Sequence, residues 1–140
     1  MPALTGARNT QTMAGHSSID VWAIKVLTNV VIHPGAMVCL NGGYAAPFTT
    51  ATGLRSAGRA EEACDNTGGA SGAKTVQVRR GVFKFANSSG GDLIGDANVG
   101  SDCYAVDDQT VALTSATSTR SVAGKIMQVD SDGVWVQLGF

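Results

Sequence analysis

The chain is expected to fold as an all-β protein, an antiparallel β-sandwich or small β-barrel preceded by an extended N-terminal arm. Three observations lead there. Short apolar runs alternate with polar residues at period two from Trp22 to Phe140, turn clusters rich in Gly, Asn and Asp separate them, and no amphipathic helix is evident. The composition agrees. Charged residues are 15% of the 140 residues, against a usual figure of about 25%, and 18 glycines with many Thr, Ser and Ala fill the rest. That mixture suits strands and turns better than surface helices laced with Glu and Lys pairs.

Taking the chain in order, residues 1 to 20 form the arm and 21 to 140 a single β domain. Thr, Gly, Ala, Ser and Asn dominate the first stretch, in which Leu4 and Met13 stand isolated among polar residues such as Arg8 and Asn9. The first strand is expected over Trp22 to Ile32, with Trp22, Ile24, Val26, Val30 and Ile32 on one face. His33-Pro34-Gly35 turns the chain, Ala36 to Leu40 is a second strand, and Asn41-Gly42-Gly43 is a strong turn signal. Between Tyr44 and Gly72 the pattern weakens. Leu54 to Cys64 reads as a strand broken by Gly58 in preference to a short helix around Arg59-Ala-Glu-Glu-Ala, and Asp65 to Gly72 is a glycine-rich loop, a flexible candidate contact loop.

From Thr75 to Ala86 the alternation changes phase. Val76 and Val78 share one parity and Phe83 and Phe85 the other, so a β-bulge at Arg80-Gly81 is expected to return all four to the core. Asn87 to Asp92 is a further turn cluster. At the end of the chain Val134, Val136, Leu138 and Phe140 should face the core, which leaves Trp135 on the other face beside Gln137. Asp132-Gly133 is expected to be a type I′ hairpin turn. Lys84 or Lys125 is a candidate for blunting an outer sheet edge.

Few residues suggest chemistry. His16 and His33 have no ligands at zinc spacing, and a Cys39–His33 nucleophile pair lacks an orienting third group. Asp130-Ser-Asp132-Gly133 matches only the opening of a calcium loop, without the later ligands or the closing Glu. Cys39, Cys64 and Cys103 are odd in number and widely spaced, so they read as small buried residues, not as a disulfide framework. Gly68-Gly69 and Gly90-Gly91 lack the lysine and the strand-to-helix setting of a phosphate loop. No metal, cofactor or catalytic residue is therefore expected, and the chain is not expected to be an enzyme.

A net charge of -1 gives no electrostatic drive toward nucleic acid or an anionic membrane. The apolar stretch from Trp22 to Leu40 is interrupted by Lys25, Asn29, His33 and Pro34 and fails as a membrane span. The opening residues lack the apolar run of a signal peptide, so assembly in a cytoplasm is the expectation.

Four segments resemble one family. They are Asp65-Asn-Thr-Gly-Gly-Ala70, Val78-Arg-Arg-Gly-Val-Phe83, Tyr104-Ala-Val-Asp-Asp-Gln-Thr-Val111, and Ala123-Gly124 through Asp132-Gly-Val-Trp-Val136. Together they resemble the small bacteriophage capsid decoration, or cement, proteins. The resemblance implies a structural virion protein that binds the outer surface of an expanded head through the major capsid protein, as a homo-oligomer with a trimer favoured over a dimer. It carries over no individual contact residue. From the residues themselves, the candidates for a capsid or subunit interface are Leu4, Arg8, Asn9 and Met13 in the arm, with Trp22, Arg79, Arg80 and Trp135 in the body. Arg79 and Arg80 could equally solvate an edge, and Trp135 could lie under the arm or the Gly68 loop. A carbohydrate-binding or adhesin-like β-sandwich is the alternative, with Tyr44, Trp22 and Trp135 available to stack on sugar rings.

Overall fold

The structure, a computed structural model, describes residues 20–140 together with Ala7. Among these residues the chain forms twelve strands, and every ladder between them is antiparallel. They are β1 (Val21–Lys25), β2 (Val31–Ile32), β3 (Met37–Asn41), β4 (Tyr44–Pro47), β5 (Arg55–Ala60), β6 (Cys64–Asp65), β7 (Thr75–Arg79), β8 (Gly81–Phe85), β9 (Asp102–Ala105), β10 (Val111–Ala112), β11 (Val122–Asp130) and β12 (Gly133–Leu138). The first sheet runs β1-β7-β5-β3-β4, the second β10-β9-β11-β12-β8, and β2 pairs with β6 in a small third ladder.

Each large sheet curls until its outer strands meet. A single parallel bridge joins Val26, just past β1, to Ala45 in β4, and another joins Ala86, just past β8, to Thr110 before β10. The backbone N–H of Leu27 donates to the Ala45 carbonyl and that of Val111 to the Ala86 carbonyl, both at 2.9 Å. Unpaired edge groups are thereby partly satisfied, which limits the strand edge open to other chains.

Two apolar clusters result. Val26, Ile32, Val38, Ala45, Ala57, Val76 and Val78 fill the first sheet. Cys103, Ala105, Val111, Ile126, Val134, Val136 and Leu138 line the second, and Met37, Cys39, Ala46 and Phe48 pack with them. The hairpin β3–β4 therefore serves both cores. This accounts for the unbroken apolar wording of Met37-Val38-Cys39, since a strand buried on both faces has no polar side to alternate. Its Gly42-Gly43 turn has φ of 59° and 90°, the left-handed pair that a two-residue hairpin of the primed type requires.

Several expectations are corrected. The strand foreseen over Trp22 to Ile32 is two strands, because Asn29 turns left-handed at φ 56° and breaks the ladder. Val26 and Ile32 are nevertheless fully buried. The phase change at Arg80-Gly81 is not a bulge within one strand. There the chain leaves the first sheet as β7 and enters the second as β8, and Gly81 at φ 156° makes the crossing. Leu54 to Cys64 contains strand β5 as expected, and β5 carries a bulge where Val38 pairs with Gly58 and Cys39 with Ser56.

The Asp65 to Gly72 loop is anchored, not loose. The Asn66 side chain is buried and its amide donates to the carbonyls of Leu27 and Ala70, while the Thr28 hydroxyl donates to Gly69. Phe140, expected in the core, is 57% exposed. The turn between β11 and β12 is Ser131-Asp132, with Asp130 opposite Gly133, and neither turn residue has positive φ, so it is not a type I′ turn at Asp132-Gly133. Lys125 lies on β11, inside the sheet; Lys84, on outer strand β8, is the lysine at an edge.

Candidate functional site

Across the outer face of the second sheet, cross-strand pairing sets two rows of side chains. One row runs Val82, Gln137, Lys125, Asp102, and the other Lys84, Trp135, Gln128. Residues paired across an antiparallel ladder share a face and touch. A bulge between Ile126 and Gln128 then inserts Met127, which is 47% exposed. Val82 is 42% exposed. Trp135, Met127, Val82 and Gln128 together line a shallow depression.

Trp135 is outward and half-buried, as its parity required. It is also fixed. Its indole Nε1–H donates to Asp130 Oδ2 at 2.7 Å, and Lys84 Nζ stands 5.6 Å from the ring centroid. Lys84 in turn pairs with Asp132 at 2.7 Å and Asp130 at 3.8 Å. Hydrogen bonds from Gln128 and Trp135, assisted by the Lys84 charge, hold the Asp130 carboxyl below the usual carboxylate range. Asp132 is likewise lowered, by Lys84, and Lys84 is raised, chiefly by Asp132. The two aspartates of the supposed calcium half-loop are thus the partners of a lysine and an indole. A large rigid ring held in place by hydrogen bonds loses little entropy on being covered by a partner.

A second feature adjoins this face. A cleft of about 520 Å³ is lined by Asp20, Arg80, Val82, Lys125, Gln137 and Phe140, among others. Val82 belongs to both the cleft and the Trp135 depression. Near the cleft Trp22 and Phe140 stack with ring centroids 5.5 Å apart, and the Arg80 guanidinium lies 5.3 Å from the Trp22 ring. Arg80 also donates to the Phe140 carbonyl at 2.8 Å.

Of the residues singled out in the body, Trp22 and Arg80 therefore come together. Arg79 does not join them. It shares Glu61 with Arg59, and Arg59 lies 4.3 Å above the Phe83 ring. Leu4, Arg8, Asn9 and Met13 lie outside the described residues. Tyr44 sits beside Gly72, and Trp22 and Trp135 belong to different sheets, so the three aromatic rings named for sugar stacking form no cluster. Met127 and Val82 escaped the sequence reading. Alternation would place Met127 with Lys125 on the outer face, but an isolated exposed methionine has no sequence signal that sets it beside a tryptophan eight residues on.

Chemistry elsewhere is sparse. Cys39 and Cys103 are buried, their thiols facing the Pro47 and Gly124 carbonyls, and burial pushes them up to about 11 and about 12. His33 is exposed. Among the described residues no three His, Cys, Asp or Glu side chains converge as metal ligands, and no helix is long and apolar enough to cross a membrane. No family model, curated protein or solved structure matches the chain.

Proposed function

We propose that this protein is a structural component of a bacteriophage virion that binds the outer surface of the capsid as a homo-oligomer and stabilises the expanded head. The supporting observation is the fixed, outward Trp135 with Met127 and Val82 on an exposed sheet face. Such a face suits contact between proteins, since large apolar side chains set among charged pairs are costly to leave in water and rewarding to cover. The four segments that resemble decoration proteins supply the capsid as the partner. Residues 1 to 20 provide the capsid clasp in this reading, gaining main-chain hydrogen bonds on a neighbour's sheet edge. An oligomer then binds a repeating lattice with avidity, so each single contact can be weak. The protein acts by binding alone, without metal, cofactor or turnover.

The test is removal of residues 1–15. The shortened protein should stay soluble, with an unchanged circular-dichroism spectrum, and should lose co-sedimentation with expanded heads. Retained co-sedimentation would remove the arm from the account. Binding of the full protein to a glycan array, with none to heads, would replace the reading with the carbohydrate-binding one.

A further inference from the structure

The outer face of the second sheet carries charge in an arrangement that matches itself. Lys125 and Asp132 are its most exposed ion-pair members, with side chains 56% and 71% exposed. They flank the Trp135–Gln128 pair along the same two strands. Toward one end, Val136 with Ile126 and then Gln137 with Lys125 follow; toward the other, Val134 with Val129, Gly133 with Asp130, and then the turn at Asp132. Each charge therefore lies two to three ladder steps from Trp135, on the order of 7–10 Å at the rise of a strand.

Rotation by 180° about an axis that lies in the plane of the face, running across the strands above Trp135, turns a second copy to face the first and exchanges the two ends. We infer that this face is a two-fold contact with a second copy of the chain, in which Trp135 and Met127 cover their counterparts and Lys125 of each copy meets Asp132 of the other. An isologous contact requires just this, that every group finds its complement on the same patch. Within the chain Lys125 bonds Asp102 and Lys84 bonds Asp132, each at 2.7 Å, yet the exposure of Lys125 and Asp132 leaves both open to a second partner. Val82 and Lys125 also line the Phe140 cleft, so the contact reaches the edge of that cleft. The inference rests on the homo-oligomer reading and replaces the trimer expectation with a two-fold contact at this face.

A charge exchange tests it. Lys125→Asp and Asp132→Lys, each alone, place like charges opposite one another twice per dimer. Each should weaken self-association in sedimentation equilibrium by about ten-fold or more at low salt, with the circular-dichroism spectrum unchanged. Mixing the two variants should form a heterodimer, because every contact then joins opposite charges, and the effect should fade in 0.5 M salt, where the Debye length falls to a few ångströms. An oligomer indifferent to both substitutions would overturn this surface while leaving self-association intact. A wild-type protein that stays monomeric at all concentrations would overturn the surface and the oligomer reading together.

Discussion

Gly58→Ala should destabilise the fold severely, and the structure says by how much. Gly58 occupies the β5 bulge at φ 148°, a region that side-chain-bearing residues rarely adopt and that costs about 1–3 kcal/mol. A methyl group there would lie 2.8 Å from the Arg79 carbonyl carbon and 2.9 Å from Val78 Cγ1, and closer still to the Arg79 carbonyl oxygen. Normal carbon contacts need about 3.5–4 Å, so β5 must retreat from β7. The ladder between them is short, Arg59 with Arg79 and Ala60 with Val78, and overpacking of this kind adds about 1–3 kcal/mol. The expected loss is about 3 kcal/mol or more, a large share of the roughly 5–15 kcal/mol that holds a domain of this size. With a urea slope of about 2 kcal/mol/M, the unfolding midpoint should fall by more than about 1 M. Gly91→Ala is the control. A methyl there meets no atom within 4 Å and the backbone is unstrained, so the change should stay within about 0.5 kcal/mol. Equal midpoints for the two variants, or an unshifted Gly58→Ala, would refute the reasoning.

Other outcomes follow from the same structure. Asp92 accepts hydrogen bonds from the Thr114 hydroxyl and Arg120, which lower its carboxyl, so its contribution is present above the ordinary carboxylate value of about 3.9 and lost as pH falls through the lower folded value. Acid titration of the unfolding midpoint should show that loss below pH 4, and Asp92→Asn should flatten it. The turn at Ala116, Thr117 and Ser118 is left-handed at all three residues, with φ of 48°, 60° and 61°. Thr117→Gly removes about 1–2 kcal/mol of strain against a smaller entropic cost, so thermal unfolding should shift upward; a downward shift would contradict the strain argument. Ile126→Ala, which empties a fully buried site, should cost about 2–5 kcal/mol by chemical denaturation. Cys39 and Cys103 should resist a thiol reagent at pH 8 in the native protein and react on unfolding, since burial holds both thiols protonated up to about 11 and about 12.

The fold class was legible because the signals that carry it are local. Alternation at Val76 and Val78, the Gly42-Gly43 turn and the parity of Val134, Val136 and Leu138 all survive in the structure. What failed depends on distant contacts or on residues that carry no glycine. Asn29 and the Ala116 to Ser118 turn adopt left-handed backbone without glycine, so nothing in their wording marks the break. The switch of sheets at Arg80-Gly81 and a bulge give the same change of phase, and only the partners of β7 and β8 distinguish them. Phe140 has the parity of a core residue, but Trp22 and Arg80 meet it outside the second sheet. In the candidate site, the outward setting of Trp135 could be read from parity. The placing of Lys84, 51 positions earlier, over its ring could not, because strand order β12-β8 is a property of the whole sheet.

Co-sedimentation with heads is the direct test of the proposed capsid binding. Purified protein should be sedimented with expanded, emptied phage heads and, separately, with unexpanded heads. Saturable pelleting is expected with the expanded heads alone, at a fixed ratio of copies to capsid subunits. Protein that remains in the supernatant with both would contradict it.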